Sequence, residues 1–199
     1  MLRAADALLR ERGTDDFTLA EVCTLGRVSI GSIYFRFSSK DELVRAVHER
    51  VMADLDATRS AEIARALEES TDLPDLIARL IERTAETLRE FAPILRPLML
   101  RSVVDAQVYD RGQESYRRSA QLMHDALLQR RDEITHPDPE KAVAAAYTIA
   151  YAALGRFLGF GSPGQVVGGV IEWDTLKRNV TLSCAAFLMV KPELAKRLA

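Results

Sequence analysis

Cysteine and histidine are scarce in this chain: two cysteines and three histidines in 199 residues. Cys23 and Cys184 lie far apart and form no metal or redox spacing. Both are therefore expected as small buried apolar side chains in a reducing compartment. His48, His124 and His136 are scattered, with no metal-ligand spacing among His, Cys and Asp and no serine or cysteine elbow for a nucleophile. His48 reads as a solvated residue on the outer run of a helix. Glu68-Glu69 and Glu82/Glu86 read as solvent-face charges rather than an acid/base pair. Gly155, Gly159 and Gly161 make no phosphate loop, because no strand precedes them. Neither an enzyme nor a cofactor is expected.

Other absences bear on location and class. The first residues are already amphipathic and charged (Arg3, Asp6, Arg10, Glu11), unlike a signal peptide. The most apolar run, 142–161, is broken by Arg156 and by glycines. Its first apolar block, 142–155, falls short of the roughly 20 residues a bilayer needs. A soluble cytoplasmic protein with no membrane partner is expected. The "NVT" at 179–181 is a glycosylation sequon only on paper, since it falls inside an expected helix. A net charge of −2 argues against binding nucleic acid through overall basicity, while leaving room for a local basic patch. There is no period-2 strand pattern, no internal repeat and no low-complexity segment.

What is present is helical periodicity almost throughout. The first helix is expected over Leu2–Arg12, ended by Gly13. Thr18 with Glu21 forms a capping box for a second, over which Phe17 can staple onto Val22. Ser29 caps a short third helix, and Ser39 with Glu42 supplies a box for a long fourth, through Leu43, Val47 and Val51. Further on, Asp72 caps a helix with Pro74 in its first turn. Pro93 and Pro97 are expected to bracket a kinked segment. A long helix is expected over 109–133, another capped by Asp138 with Pro139 at its first position, a loop at 159–164 and a last helix over 172–190.

The stretch "VSIGSIYFRFSSK", 28–40, is unusual for a core helix. Three short capped helices within 40 residues make a helix-turn-helix plan, held by a small core of Leu8, Leu9, Leu19, Val22, Cys23, Val28, Ile33 and Phe37. In such a unit the third helix lies in the DNA major groove and leads with its N-terminal residues. Gly31 and Ser32 carry almost no side chain and allow close approach, and the free amides of a helix start suit a phosphate oxygen. Tyr34 can donate its hydroxyl to a phosphate, and Lys40 places a cation in the first turn of the fourth helix. From Val22 to Lys40 there are three basic residues, Arg27, Arg36 and Lys40, and no acidic one. On pattern alone, a helical bundle whose polar face happens to look this way is an equal alternative.

The segment "MLRAADALLRERG…FTLAEV…VSIGSIYFRFSSKDEL" resembles the DNA-binding domain of the TetR family of transcriptional regulators, over about the first 50 residues. The resemblance implies an all-α protein: a three-helix helix-turn-helix domain, residues 1–50, joined by a long fourth helix to a larger helical ligand-binding and dimerisation domain, residues 51–199. It implies that Thr18 caps the second helix and touches a phosphate. It places Ser29, Ile30, Gly31 and Ser32 against bases, Tyr34 on a phosphate, Phe35 in the groove and Lys40 on a phosphate. It further implies a homodimer through the last two long helices, a double-stranded palindromic operator, and a small-molecule effector. Four features depart from the family pattern, one of them Ala20, which stands on the outer side of the second helix and is too short for a base contact. Arg27 stands where glycine is usual before Val28, so that turn is expected to be strained or reshaped. Ile30 stands where a polar residue is frequent and could read a thymine methyl. The sequence opens directly on the first helix, ahead of which many members of the family carry a basic arm.

The remaining residues match the family in kind only. The segment 142–158 is apolar nearly all round (Val143, Ala146, Ile149, Ala150, Ala153, Leu154, Phe157, with Tyr147, Tyr151 and Ala152 elsewhere), so it is expected to be buried on every side. Small residues at this density favour a partner helix, with Val180, Leu182, Phe187 and Leu188 contributing. Met99, Tyr116, Met123, Tyr147 and Tyr151 are candidates for a ligand pocket, though Met and Tyr at helical spacing also make plain core. The rival function is an all-helical ligand-binding or protein-docking dimer that has lost DNA binding, for which Arg27 and Ile30 are the best support.

Overall fold

The computed structural model describes residues 1–160, 171–191, 193, 194 and 197. Among these the regular structure is all helical: α1 (Leu2–Arg12), α2 (Leu19–Gly26), α3 (Ile30–Tyr34), α4 (Lys40–Glu69), α5 (Leu73–Ser102), α6 (Ala106–Leu128), α7 (Pro139–Phe157) and α8 (Trp173–Leu188). A single 3₁₀ turn, Arg131–Glu133, lies between α6 and α7.

Local chemistry accounts for most boundaries. Gly13 ends α1 in the left-handed region (φ 68°), its N–H donating to the Leu9 carbonyl. Thr18 and Glu21 form the full reciprocal box at the start of α2. Ser29 accepts from the Ser32 N–H and opens α3. The Ser39 cap of α4 is present, but its reciprocal half is displaced by one residue, because the Glu42 carboxylate accepts from the Ser38 N–H at 2.7 Å. Asp72 and Asp138 cap α5 and α7 as expected.

Two expectations, on α6 and on Cys23, are corrected, while helix α5 continues through Pro93 and Pro97. Each proline removes one helix hydrogen bond, at roughly 3 kcal/mol, and burial of Ala92, Ile94, Leu95, Pro97 and Leu98 along the same turns offsets that cost. Helix α6 begins before residue 109, because Asp105 accepts from both the Gln107 and Val108 N–H groups, and it ends at Leu128, before 133. Of the two cysteines, Cys184 is buried but Cys23 is only partly so. The expected loop over 159–164 lies outside the described residues from 161 onward.

Side chains pack in two buried clusters. The first joins Leu8, Leu9, Phe17, Val22 and Ile33 to Leu43, Val44 and Val47 of α4 and to Leu88, Ala92, Leu95 and Leu98 of α5. Leu19, Cys23, Val28 and Phe37 are half-buried at its margin. The second gathers Ile63 and Ala66 of α4 with the first half of α5 and with α6, α7 and α8. A 30-residue α4, about 45 Å long at 1.5 Å per residue, therefore contributes to both. Lys177 fastens α8 to α5: buried, it donates to Glu82 at 2.7 Å and to Glu86 at 2.8 Å, and Trp173 Nε1 also donates to Glu86. These two glutamates are thus interhelical anchors, not plain solvent-face charges.

Burial of α7 is one-sided rather than complete. Val143, Ala146, Ala150 and Leu154 are buried, whereas Ala144, Thr148, Ile149 and Ala152 are exposed. On α8, Val180 and Leu188 are buried while Leu182 and Phe187 face outward. An apolar strip therefore remains open along these two helices.

The turn between α2 and α3 takes the strained form its sequence suggests. Arg27 sits at φ 49°, ψ 46°, the only non-glycine with positive φ among the described residues, and Val28 N–H closes back on the Cys23 carbonyl at 3.1 Å. A Cβ in this region costs about 1 kcal/mol or more. Arg27→Gly is expected to raise stability by about 0.5–1 kcal/mol, or about 1–3 °C in melting temperature. A fall in melting temperature would mean that the Arg27 side chain supports the turn.

Candidate nucleic-acid interface and ligand cavity

The third helix hangs from the core by one side chain, Ile33, which is completely buried. Around it Ser29, Gly31 and Ser32 are exposed, and Ile30, Tyr34 and Phe35 are 46%, 57% and 91% exposed. Ser29 Oγ accepts from Ser32 N–H at 3.1 Å and lies 2.9 Å from Ser32 Oγ, so both hydroxyls are held together at the helix start. At Gly31 an added methyl would meet nothing of the protein nearer than Ser29 Oγ at 3.8 Å. Internal packing therefore does not demand glycine there.

Thr18 is exposed beside this surface, its hydroxyl donating to Glu21 at 2.8 Å. Glu21 is in turn gripped by Arg12, which with the Thr18 groups pulls its carboxyl down to about 2. The Lys40 ammonium stands 4.9 Å over the Phe17 ring at the start of α4. Arg27, Arg36 and Lys40 have no carboxylate partner among the described residues, in contrast to Arg12, Arg79, Arg83 and Arg111, which are all ion-paired.

Behind this surface lies an ion-pair knot that sequence reasoning missed. Asp105, almost wholly buried, accepts from Arg45 Nε at 2.9 Å and from Arg101 Nη2 at 3.2 Å while also capping α6. Burial pushes its carboxyl up, but the two guanidinium groups and the Val108 N–H outweigh this and hold it below its ordinary value. Arg101 reaches on to Asp15 at 2.9 Å, between α1 and α2, and to Asp41 at 2.8 Å, next to Lys40. Asp15 and Asp41, the latter next to Lys40 in sequence, are thereby both ion-paired to Arg101.

A cavity of about 360 Å³ opens between α4, α5, α6 and α7. Of the sequence candidates, Met99, Tyr116 and Tyr151 line it. Met123 and Tyr147 do not: both are buried in the second cluster, against a void of only about 20 Å³. The Tyr147 hydroxyl donates to Ser119 Oγ at 2.8 Å. The lining also includes His48, Met52, Leu55 and Arg59, which sequence reasoning did not place there. Their spacing of 4, 3 and 4 residues is one face of a helix, and that was the available signal. His48 is consequently buried, 4% exposed, not solvated on an outer face.

Comparison with known proteins bears on both regions. Residues 1–47 match the family model described as bacterial regulatory proteins, tetR family. No curated protein sequence matches the chain. Among solved structures, a Mesorhizobium loti protein whose name places it with TetR-family transcriptional regulators aligns with TM-score 0.75 and 19% identity, over 95% of this chain and 93% of that one. A tetR-family transcriptional regulator from Streptomyces coelicolor aligns with TM-score 0.67 and 19% identity, over 99% and 86%. The superantigen PfiT aligns with TM-score 0.66 and 18% identity, over 92% of each chain. At such identities the likeness is one of fold.

The position of His48 has a measurable consequence. Burial, then the nearby Arg111 charge, lower its imidazole from 6.5 to about 4, against the smaller opposing pull of Glu49 and Asp105. The folded state thus binds fewer protons than the unfolded one between about pH 6.5 and 4, and stability falls as pH drops through that window. By pH 5 this one group should cost about 2 kcal/mol. Urea titrations at pH 7.5 and pH 5 are expected to show His48→Gln losing about 2 kcal/mol less than the parent on acidification. Equal losses would mean that His48 protonates normally in the folded protein.

Proposed function

From the premise that the N-terminal domain is of the TetR family and that the chain has the fold of TetR-family transcriptional regulators, we propose that the protein is a DNA-binding repressor that holds a palindromic operator as a homodimer and is released by a small-molecule effector. The observation that carries this reading is the exposed face of α3. Phe35 leaves an aromatic ring almost wholly in water, and Gly31 is small for no internal reason. Both make sense if a groove receives them. Ser29, Ile30, Gly31 and Ser32 would face bases and Phe35 the groove wall, while Thr18, Tyr34 and Lys40 would hold phosphates. Thr18 would have to release its bond to Glu21 in order to donate.

The division of labour follows the chain: residues 1–50 as the DNA-binding domain, and 51–199 as the ligand-binding and dimerisation domain. The open strip on α7 and α8, with Ile149 and Leu182 each about 60% exposed (59% and 61%), supports pairing of two subunits there, because apolar side chains of adjacent helices left in water favour association. Effector occupancy of the cavity would act through α4, which lines it with His48, Met52, Leu55 and Arg59. It would also act through the α5–α6 turn, where Ser102 and Val103 line the cavity and Asp105 holds Arg45 and Arg101. In Asp105→Asn, which keeps the cap acceptor and removes the charge, occupancy should change operator affinity less than in the parent. An unaltered response would take that turn out of the path.

The rival reading, a docking or ligand-binding dimer without DNA binding, draws on Arg27, on Ile30, and on the same fold in a protein named a superantigen. Selection of bound fragments from random or genomic DNA by the purified protein separates the two. An enriched inverted repeat, with affinity falling steeply as salt rises, is expected. No enrichment at low salt from a folded dimer would favour the rival. On the selected operator, Lys40→Ala should weaken binding to all sequences and lower the salt slope by about 1. Ile30→Ala should shift base preference. Gly31→Ala should leave the fold intact, with stability unchanged or higher by up to about 1 kcal/mol, yet bind DNA more weakly. If Gly31→Ala binds as tightly as the parent, close approach at α3 is not part of recognition.

A further inference from the structure

Of the two fully buried cations among the described residues, Lys177 and Arg59, only Lys177 is ion-paired. Lys177 meets Glu82, Glu86 and Asp174 within 3.1 Å, and Arg101 and Arg111 each hold two or more carboxylates. Arg59 is 5% exposed and has no carboxylate within ion-pair reach among the described residues. Its Nη1 donates only a long bond, 3.4 Å, to Ser115 Oγ, whose own proton goes to Asp56. Its Nε is buried with no hydrogen-bond partner among the described residues. The guanidinium carbon lies 5.9 Å from the centre of the Tyr151 ring.

Arg59 lines the cavity, and no acidic residue among the described residues lines it. His48, the other ionisable nitrogen base in the wall, is neutral near pH 7, since its imidazole sits at about 4. The rest is largely apolar, including Met52, Leu55, Leu95 and Leu98, and the rim carries the exposed Val103 and Tyr109, 82% and 51%. A cation taken out of water without a counter-charge is unfavourable by several kcal/mol, and a guanidinium with an unfilled N–H in the wall of a cavity favours an anionic acceptor there.

Resting on the effector reading of this cavity, we propose that its ligand is a small apolar carboxylic acid whose carboxylate pairs with the Arg59 guanidinium while its hydrocarbon or aromatic body lies among Met52, Leu55, Leu95 and Leu98. The site selects against amines, which would face an unpaired guanidinium. It selects against neutral amides, which leave the charge uncompensated. The apolar rim admits the body, and the ion pair forms at the enclosed end.

Matched sets of decanoate, decanamide and decylamine, and of 2-naphthoate, 2-naphthamide and 2-naphthylmethylamine, test this by calorimetry and thermal shift on the full chain. At least one acid is expected to bind roughly tenfold or more tighter than its amide and amine, and to raise the melting temperature by about 5 °C near saturation. Arg59→Met should abolish that preference while its own unliganded melting temperature is unchanged or higher, because an uncompensated buried charge has been removed. Arg59→Lys should recover part of the binding. Equal binding of amide and acid, acid binding undiminished in Arg59→Met, or no acid bound by the folded protein would overturn the proposal. Operator release is read separately. Acids that bind through Arg59 without altering affinity for the selected operator would leave the ligand class standing and remove the effector reading. Release of the operator by the amides or amines alone would do the reverse.

Discussion

A single buried carboxylate ties the small N-terminal helices to the rest of the molecule. Asp105 caps α6, accepts from Arg45 of α4, and accepts from Arg101 of α5. Three long helices thus meet at one side chain. Arg101 carries the connection forward to Asp15 and Asp41. A carboxylate this enclosed is tolerated only because every lone pair has a donor, so the geometry of its partners is mutually dependent. Motion at the α5–α6 turn cannot leave the N-terminal helices undisturbed without breaking charge-assisted bonds. The apolar cluster shared by α1, α2, α4 and α5 reinforces the same connection.

That constraint explains the economy of α3. Five residues cannot stabilise a helix by their own hydrogen bonds, so α3 depends on the Ser29 cap, on Ile33, and on the rigid frame behind it. Its other side chains are released from structural duty. Phe35 and Tyr34 in water, and a glycine that packing does not require, are features that stability alone would disfavour. The left-handed Arg27 belongs with them: it adds an exposed cation beside α3 where glycine would relax the backbone.

Elsewhere the charge pattern has two registers. Several arginines close ion pairs between helices, among them Arg12, Arg79, Arg83, Arg101 and Arg111, and Lys177 closes two to α5 and one within α8. Arg27, Arg36 and Lys40 on the outside and Arg59 within are among the cations that have no carboxylate partner in the described residues. An unpaired cation in solvent costs little, while one at 5% exposure costs much more. The same absence of a partner therefore carries different weight at the two places, and only the interior one asks for a specific occupant.

By itself the sequence determined the helical class, the caps at Thr18, Ser29, Ser39, Asp72 and Asp138, and the exposed α3 stretch. All of these rest on side chains acting within three or four residues of their own backbone, or on a short pattern read in order. Tertiary structure alone decided that α5 passes through Pro93 and Pro97, because the compensating burial comes from other helices. It also decided that His48 faces inward, that Met123 and Tyr147 pack away from the cavity while Met99, Tyr116 and Tyr151 line it, and that Asp105 joins Arg45 and Arg101. Arg45 and Asp105 are 60 residues apart, and the 3.6-residue period narrows a side chain's direction without naming what it meets. Charge pairing across that distance is fixed by how the helices cross, and that is a property of the packed core as a whole.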